Sequence, residues 1–369
     1  MPQPTITAVE IYKLTVPGKP YRIALGLISS ADNLLVRIRA SSGLYGMGEA
    51  APIPTITGET QAAGYEAAAL LARLLIGKEA LAVEARLAEL NAALHGNHTV
   101  KSAFDMALYD LLGKHAGLPL YALLGGEKRP IVTDLTVGID SPEAMAREAL
   151  AATAQGFSAV KVKLGSGWPE DVARLRAIRD ALGPDVPLRI DANQGWDAPA
   201  AIAALNAMAP LRVEYCEQPV AAWDVEGLRI VRQRSPIPIT ADEALMDHHD
   251  AFRLACRGAC DYFNIKLSKA GGIAAALRID AIGEAAGIRC MIGSMTETRL
   301  GLSAAAHLAA ARPNIAFANL DTNFFHLEDP VVGGITFEGG NIILPDAPGH
   351  GADIRPEALA RLERVSVGG

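Results

Sequence analysis

The hydrophobic pattern divides the chain into two parts that meet near residue 130. In the first part, apolar and polar residues alternate over Thr5–Thr15 and Asn33–Ala40, a period of two that predicts antiparallel strands. Helical periodicity follows, and we expect helices over Glu59–Ile76, Leu81–Leu94 and Val100–His115. This part is therefore predicted to be a small α+β unit over residues 1–126.

After Pro130, short apolar runs alternate with helical segments at intervals of about 25 residues. We expect strands near Ile131–Val137, Ala159–Lys163, Leu188–Asp191, Val213–Glu217, Ile237–Ala241, Tyr262–Lys266, Arg289–Ile292 and Ile315–Leu320. Eight strand–helix periods favour a parallel (β/α)8-like barrel over residues 127–328 rather than a doubly wound sheet. The tail, 329–369, contains GGITFEGGNIILP, a predicted hairpin, and is expected to return to the first unit and complete it. The predicted fold is thus an α/β barrel with an N-terminal α+β capping domain.

Composition excludes several classes of function. The formal net charge is −7 and the basic residues are scattered, which argues against nucleic-acid binding. No apolar stretch approaches the roughly 18 residues of a spanning helix, and the start lacks a leader pattern. The four cysteines form no CxxC pair and are expected to be buried free thiols. We therefore expect a soluble cytoplasmic protein without nucleic-acid or membrane partners.

Charged residues end five successive predicted strands, at intervals of 24 to 28 residues. They are Lys163, Asp191, Glu217, Asp242 and Lys266. A single such residue is often a helix cap or a solvated surface charge. Five in succession, at the period of the barrel, indicate an active site at the carboxyl ends of the strands, where such barrels bind their substrates.

The three acidic residues of this set, Asp191, Glu217 and Asp242, lie on adjacent predicted strands. Carboxylate oxygens without nearby thiols or imidazoles suit Mg²⁺, for which Mn²⁺ is a possible substitute. Without a cation, the three groups would repel one another and their pKa values would rise.

The lysines indicate the reaction. Lys161 and Lys163 share one face of the second strand, and the second and sixth of eight strands are on opposite sides of a barrel. Lys163 and Lys266 should therefore face each other across the metal. A carbon acid held between them can lose a proton from one face and regain it on the other, as racemisation or epimerisation requires. A nearby cation, either Lys161 or the metal, is expected to lower the pKa of a lysine towards that of a general base.

The motifs around these residues resemble those of the enolase superfamily over essentially the whole chain. KVKLG (161–165), DANQGW (191–196), EQP (217–219), ADEA (241–244) and NIKLSKAGG (264–272) are similar to the muconate-lactonizing subgroup. This resemblance implies a (β/α)7β barrel, Mg²⁺, and Lys163 and Lys266 as the two bases, supported by Lys161, Asn193 and Glu243. It also implies a homo-oligomer. The segment 291–298 lacks the histidine of mandelate-racemase-type members.

Within the subgroup, the closest resemblance is to dipeptide epimerases of the L-Ala-D/L-Glu type. It rests on PYRIALG (20–26), TGET (57–60), TVGID (136–140) and MIGSMTETRLGLSAAAHLA (291–309). It implies that Lys19–Ser30 and Pro52–Thr60 are lids over the barrel mouth. The implied substrate-binding residues are Arg22, Thr136, Ser294, Asn319 and Asp321. Arg22 would meet an acidic substrate side chain, or is simply a surface strand residue.

One departure from the dipeptide epimerases lies after the eighth predicted strand. These enzymes carry Asp-x-Asp there for the substrate ammonium, whereas this chain has Asn319-Leu320-Asp321. The preferred prediction is Mg²⁺-dependent epimerisation of a dipeptide at its C-terminal residue. The departure leaves open an N-acyl or N-alkyl amino acid racemase, a cycloisomerase or a dehydratase. A non-catalytic binding protein is the third hypothesis, and the intact set of carboxylates and lysines argues against it.

Overall fold

The computed structural model describes residues 3–369, and the chain begins with an antiparallel sheet covered by helices. The elements up to residue 126 are β1 (Ile6–Ile23), β2 (Gly26–Ala40), β3 (Tyr45–Ala50), α1 (Pro54–Thr57), α2 (Gln61–Leu75), α3 (Val83–Ala93), α4 (His98–Ala116) and α5 (Leu120–Leu123). The predicted strands and helices are confirmed. β1 and β2 extend beyond the prediction and pair as far as Ile23 and Gly26. The predicted lid Lys19–Ser30 is therefore the tip of a long hairpin.

The second part is a parallel barrel whose strands alternate with helices. Its elements are β4 (Ile131–Val132), β5 (Leu135–Val137), α6 (Pro142–Ala154), β6 (Val160–Lys163), α7 (Trp168–Leu182), β7 (Leu188–Asp191), α8 (Ala198–Met208), β8 (Val213–Glu217), α9 (Val225–Arg234), β9 (Ile239–Ala241), α10 (His248–Arg257), β10 (Tyr262–Ile265), α11 (Leu267–Ala270), α12 (Ile273–Ala286), β11 (Arg289–Gly293), α13 (Arg299–Ala311) and β12 (Ile315–Asn319). β5 to β12 are hydrogen-bonded in chain order. The barrel strands number eight in the described chain, as predicted.

The first predicted barrel strand, Ile131–Val137, is wrong in one respect because it consists of two strands. β4 pairs with the C-terminal hairpin, whereas β5 pairs with β6 in the barrel. Between them, Thr133 forms a parallel bridge with Ala318 of β12, which brings the two edges of the sheet together. A 3₁₀ turn, Thr322–Phe324, follows β12 in place of an eighth outer helix. The architecture is therefore the (β/α)7β barrel that the resemblance implied.

The tail adds strands to both parts. Its elements are β13 (Val331–Gly333), β14 (Thr336–Glu338), β15 (Asn341–Ile343), β16 (Ala352–Ile354), α14 (Pro356–Leu359) and β17 (Arg364–Gly368). β14 and β15 form the predicted hairpin, and β15 pairs with β4. β17 pairs with β1, so the tail completes the sheet of the capping domain as expected.

One hydrophobic core runs through both parts, from the capping sheet and α4 into the barrel and its helices. Because this core is continuous, boundaries near residues 126 and 328 stay a prediction. Cys216, Cys260 and Cys290 are buried and free as expected, whereas Cys256 is exposed. Over residues 3–369, no helix has both the length and the apolar character needed to cross a membrane.

Candidate active site

The five charged residues of the strand ends lie together at one mouth of the barrel. Lys163, Asp191 and Glu217 are the last residues of β6, β7 and β8. Asp242 directly follows β9, and Lys266 directly follows β10. The three carboxylates are fully buried, and neither lysine is more than 8% exposed. This burial separates them from ordinary surface charges.

The carboxylates form a cluster that fits a divalent metal. Asp191, Glu217 and Asp242 each offer one oxygen, and these oxygens all lie within 4.8 Å of one another. Hard oxygen ligands from a few carboxylates are what Mg²⁺ accepts, with water and substrate completing its coordination. Two further oxygens at the mouth, Oδ1 of Asn193 and Oε2 of Glu243, are buried without a hydrogen-bond partner. The residues present therefore fit the expected metal.

Each lysine makes its shortest contact with a different carboxylate, and Lys161 also lies 3.2 Å from Oδ2 of Asp191. Nζ of Lys163 lies 2.6 Å from Oδ2 of Asp191, and Nζ of Lys266 lies 2.7 Å from Oδ2 of Asp242. Lys161 Nζ lies 2.8 Å from Oε2 of Glu217 and is only 1% exposed. β6 and β10 are four strands apart in the eight-stranded barrel, so Lys163 and Lys266 extend from opposite sides of the mouth.

Burial and charge act in different directions on the carboxylates. Burial raises the pKa of Glu217 to about 8, and the charges of Asp191 and Asp242 add to this rise. Burial alone would also raise the pKa of Asp191, but the positive charges of Lys163 and Lys161 outweigh burial and lower this pKa to about 2. The pKa of Asp242 is likewise well below its usual range despite burial, because two lysines contact it. The predicted rise is therefore confirmed for Glu217 and wrong for both aspartates.

The pKa of Lys266 is also displaced. Burial lowers it, but Asp242 and Glu217 more than offset this effect and hold the pKa above its ordinary value. The sequence predicted that a neighbouring cation would lower the pKa of a catalytic lysine. Lys161 does act in this direction on Lys266, but the carboxylates have the larger effect, so the pKa of Lys266 is not lowered.

Tight turns hold the carboxylates in place. The chain turns through left-handed backbone conformations at Asn193, two residues after β7, and at Gln218, one residue after β8, with φ of 39° and 35°. The backbone N–H of Asn193 donates to Oδ1 of Asp191 at 2.9 Å, and its side chain donates to Glu243 at 3.1 Å. The amide oxygen of Gln218 accepts from the N–H of Asp242 at 3.0 Å, which ties the fourth strand end to the fifth. The Asn193 and Glu243 predicted as supporting residues thus contact each other.

Three contacting residues were missed by the sequence analysis. Lys269 is fully buried, and its Nζ donates to the carbonyl and to Oδ1 of Asp242, the latter at 2.6 Å. Asn264 donates to Oε1 of Glu217 at 2.9 Å. Asp134 lies beneath the mouth and accepts from Asn319 at 2.6 Å. Asn264 and Lys269 were within the quoted NIKLSKAGG motif, and Asn264, two residues before Lys266 at the end of β10, was the available signal.

A cavity lies above the lysines, between the barrel and the capping domain. Four of the predicted substrate-binding residues line it, namely Thr136, Ser294, Asn319 and Asp321. Both predicted lids also contribute, through residues such as Ile28 of the hairpin and Ile53 before α1. Arg22 is not brought to this cavity: it is exposed, whereas its neighbours Tyr21 and Ile23 line the wall.

Asn319 is at the centre of a buried hydrogen-bond network. Its amide group donates to Asp134 at 2.6 Å and to Asp321 at 3.0 Å, and its oxygen accepts from Lys161 at 3.1 Å. The other oxygen of Asp321 accepts from the backbone N–H of Thr136 at 2.6 Å. Burial raises the pKa of Asp321 to about 6, and the charge of Asp134 adds to the rise. The amide thus separates two carboxylates that would otherwise face each other.

A larger groove, of about 510 Å³, lies on the outer side of the lids. It runs between the hairpin tip and residues 52–62, and it shares Ile23, Ile28 and Ile53 with the cavity over the barrel. The strand-end lysines and carboxylates do not line it, so the chemistry belongs to the smaller cavity.

Comparisons with known proteins identify the family. Residues 6–125 match the mandelate racemase / muconate lactonizing enzyme N-terminal domain, and residues 144–358 match the enolase C-terminal domain-like family. The D-Ala-D/L-Ala epimerase of Cytophaga hutchinsonii is 43% identical, with 98% of this chain and 99% of that protein covered. The hydrophobic dipeptide epimerase of Enterococcus faecalis is 44% identical, with 90% of this chain and 94% of that protein covered.

The structural comparison agrees with the sequence comparison. A crystal structure of the Cytophaga hutchinsonii dipeptide epimerase, complexed with Mg and D-Ala-L-Val, has a TM-score of 0.97 at 42% identity. The alignment covers 99% of this chain and 100% of that one. The resemblance seen in the motifs is confirmed, and the chain belongs to the mandelate racemase/muconate lactonizing enzyme family of the enolase superfamily.

Proposed function

We propose that the protein is a Mg²⁺-dependent dipeptide epimerase that inverts the α-carbon of the C-terminal residue. The observation that carries this proposal is the placement of Lys163 and Lys266 on opposite sides of the mouth, beside three buried carboxylates. The dipeptide activities and the bound dipeptide of the relatives above support this class of substrate.

The two lysines divide the proton transfer between them. One lysine, in its neutral form, removes the α-proton from one face of the substrate. The other lysine, protonated, delivers a proton to the opposite face, and the roles reverse for the other epimer. Inversion therefore needs both groups, whereas exchange of a proton on one face needs only one of them.

The carboxylates and Lys161 provide the electrostatic setting for this transfer. Asp191, Glu217 and Asp242 would hold the Mg²⁺, and Mn²⁺ accepts the same oxygen ligands. When bound, Mg²⁺ offsets the carboxylates that raise the pKa of Lys266 and stabilises negative charge developing at the substrate carboxylate. Lys161, fixed by Glu217 and Asn319, adds a buried positive charge on the second strand.

Asp321 is the group proposed to bind the α-ammonium of the dipeptide. It is buried, lines the cavity, and is held by Thr136 and Asn319. A carboxylate that already accepts two hydrogen bonds retains lone pairs for an ammonium donor. One carboxylate in a fixed orientation is thus sufficient for an acceptor, although Asn319 replaces the first aspartate of the usual pair.

The alternatives are not favoured. An N-acylated substrate would leave the buried carboxylate of Asp321 without a cationic partner, which is costly. Cycloisomerase and dehydratase substrates that lack an ammonium group are disfavoured for the same reason, because they too would leave Asp321 without a cationic partner. A scaffold without catalysis would not require three carboxylates and the strand-end lysines to stay buried together.

The location and assembly of the protein are separate proposals. We infer a cytoplasmic location from the free cysteines, which persist in reducing compartments. Homo-oligomeric assembly is proposed from the family resemblance.

The test is deuterium uptake in D₂O with Mg²⁺, over dipeptides and N-acyl amino acids. We expect uptake at the α-carbon of the C-terminal residue of dipeptides, with accumulation of the second epimer and loss of both signals on chelation. Mass spectrometry measures the uptake, and chiral chromatography measures inversion. Uptake confined to N-acyl amino acids would contradict the dipeptide assignment.

The variants Lys163→Met and Lys266→Met test the roles of the lysines. Each should slow epimerisation by about 10² to 10⁴-fold, the range for loss of a general acid or base. Each should still exchange the α-proton of one epimer, and the two variants should differ in which epimer they accept. Mg²⁺-induced thermal stabilisation checks that the metal site is intact. Epimerisation by both variants at the wild-type rate would show that the assignment is wrong.

A further inference from the structure

We propose that the residue inverted by this enzyme has an apolar, uncharged side chain. This inference rests on the proposed function and adds the class of substrate that the cavity selects. Two observations support it. The two lids place apolar side chains over the barrel mouth, and the charged side chains that line the cavity below them already have partners.

The lids cover the mouth with an apolar layer. The described lid residues that line the cavity are Tyr21 and four isoleucines, Ile23, Ile28, Ile53 and Ile56. The isoleucines, which we call the isoleucine cap, come from both lids, two from the hairpin and two from the segment around α1. Met295 and Phe325 extend the apolar wall from the barrel side.

The charged groups of the cavity already have partners. Lys161, Lys163 and Lys266 each contact a carboxylate of the metal cluster at 2.8 Å or less. Asp321 accepts from Thr136 and Asn319 and is assigned to the substrate ammonium. A charged substrate side chain would therefore enter without a counter-ion, and burying an unpaired charge is strongly unfavourable.

The position of the reacting carbon decides which side chain meets the cap. The α-carbon lies between the two lysines, with its carboxylate directed to the metal cluster. Its nitrogen leads to the N-terminal residue and so towards Asp321, beyond β12. The remaining substituent, the side chain of the C-terminal residue, is left to face the isoleucine cap.

The outer groove offers an acidic substrate side chain no cationic partner among the described residues that line it. The outer groove shares Ile23, Ile28 and Ile53 with the cavity, and the titratable residue that lines it is Asp32. That carboxylate accepts from the hydroxyl groups of Thr15 and Ser30, at 2.9 and 3.3 Å. Arg22, the side chain expected to meet an acidic substrate, is exposed on the other face of the hairpin from Ile23.

The experiment compares kcat/KM for the dipeptides L-Ala-L-Leu, L-Ala-L-Met, L-Ala-L-Glu and L-Ala-L-Lys in one epimerisation assay. We expect values for Leu and Met about a hundredfold above those for Glu and Lys, the scale on which one side-chain pocket discriminates. Preference for Glu or Lys would overturn this inference and leave the dipeptide epimerase assignment standing. Turnover of none of a wider set of dipeptides would overturn the proposed function itself.

Variants identify the cap as the source of the selectivity. Ile53→Arg places a cation in the cap at a half-buried position, where folding should tolerate it. The Glu-to-Leu ratio of kcat/KM should rise at least about tenfold. Ala63→Arg, which adds the same charge at an exposed position of α2 outside the groove and the cavity, should leave the ratio unchanged, as should Arg22→Ala. If Arg22→Ala instead abolished activity towards Glu dipeptides, or Ala63→Arg matched Ile53→Arg, the cap would not be the selective element. Ile53→Gln, a neutral polar change, should lower the Leu value and serves as the second variant if Ile53→Arg is unstable.

Discussion

Replacing Asn319 by aspartate restores the residue that dipeptide epimerases usually carry, and in this chain we expect it to destabilise the protein. The amide of Asn319 donates to Asp134 and Asp321, at 2.6 and 3.0 Å. In Asn319→Asp an acceptor replaces the two N–H donors of the amide. Three buried carboxyl groups then lie together between two cations, Lys161 at the added carboxyl group and Arg189 at Asp134. Although asparagine and aspartate have nearly the same shape, this substitution is therefore not conservative at position 319.

The size of the effect follows from these contacts. A hydrogen bond to a charged group contributes about 1.5–3 kcal/mol, so losing two of them costs roughly 3–6 kcal/mol before any relaxation. Proton uptake relieves part of this cost, because a protonated carboxyl can donate again to one neighbour. At pH 8 we expect a loss of about 3 kcal/mol in the free energy of unfolding.

The dependence on pH has a definite sign. Burial beside two carboxylates raises the pKa of the added carboxyl above its unfolded value of about 3.9. In the range between these pKa values the folded state binds more protons than the unfolded state, so stability falls as pH rises. The deficit of Asn319→Asp relative to wild type should grow by about 1–3 kcal/mol between pH 5 and pH 8.

Urea unfolding at pH 5 and pH 8 measures both quantities. Asn91→Asp is the matched control, because it makes the same chemical change on the exposed surface of α3 and should be nearly neutral at either pH. An Asn319→Asp deficit that is equal at the two pH values would refute the repulsion argument. A variant as stable as wild type would show that the amide donors contribute nothing.

Other groups give further predictions. Asp105→Ala leaves two buried N–H groups at the start of α12 without an acceptor and should lower the free energy of unfolding in urea by about 2–4 kcal/mol, with Asp105→Asn milder. Asp191→Asn should weaken Mg²⁺ binding at least about tenfold by titration calorimetry, and an unchanged affinity would remove Asp191 from the ligand set. The carboxylate of Glu49 accepts four hydrogen bonds, yet burial raises its pKa from 4.5 to about 7. As pH rises through this range, the folded state therefore keeps the proton of Glu49 while the unfolded state loses it. This should remove about 3 kcal/mol of stability as pH rises from 4.5 to 7, and Glu49→Gln should abolish that slope in urea titrations.

Much of the fold was predictable because the periods of its elements are clear. The helices α2, α3 and α4 begin and end within two residues of the predicted bounds, and the strand ends that carry Asp191 and Glu217 fall at the predicted residues. The break within Ile131–Val137 was not predictable, because the sequence does not show which partner each half pairs with. The long hairpin was missed for a related reason: β1 and β2 continue through polar residues that show no alternation beyond Thr15.

The site was predictable where chemistry coincides with strand ends, and not where it depends on packing. Lys163 and Lys266 follow from the spacing alone. Lys269 resembles any helix lysine in sequence, and only the fold shows that its side chain is buried against Asp242. Asn319 could be recognised as a departure, but its meaning depends on Asp134, 185 residues earlier in the chain.

Buried carboxylates of the capping domain also couple that domain to the helices that follow the catalytic strands. Asp105 of α4 accepts from the first N–H groups of α12, and Gly272 is needed there because a Cβ would lie 2.3 Å from the Asp105 carboxyl carbon. Glu49 of β3 accepts from Thr298 and Gly301 at the start of α13. These helices follow the sixth and seventh strands, β10 and β11, so the capping domain is anchored beside the strand end that bears Lys266. The barrel therefore carries the reacting lysines, while the capping domain anchored to it carries the isoleucine cap that lines the same cavity.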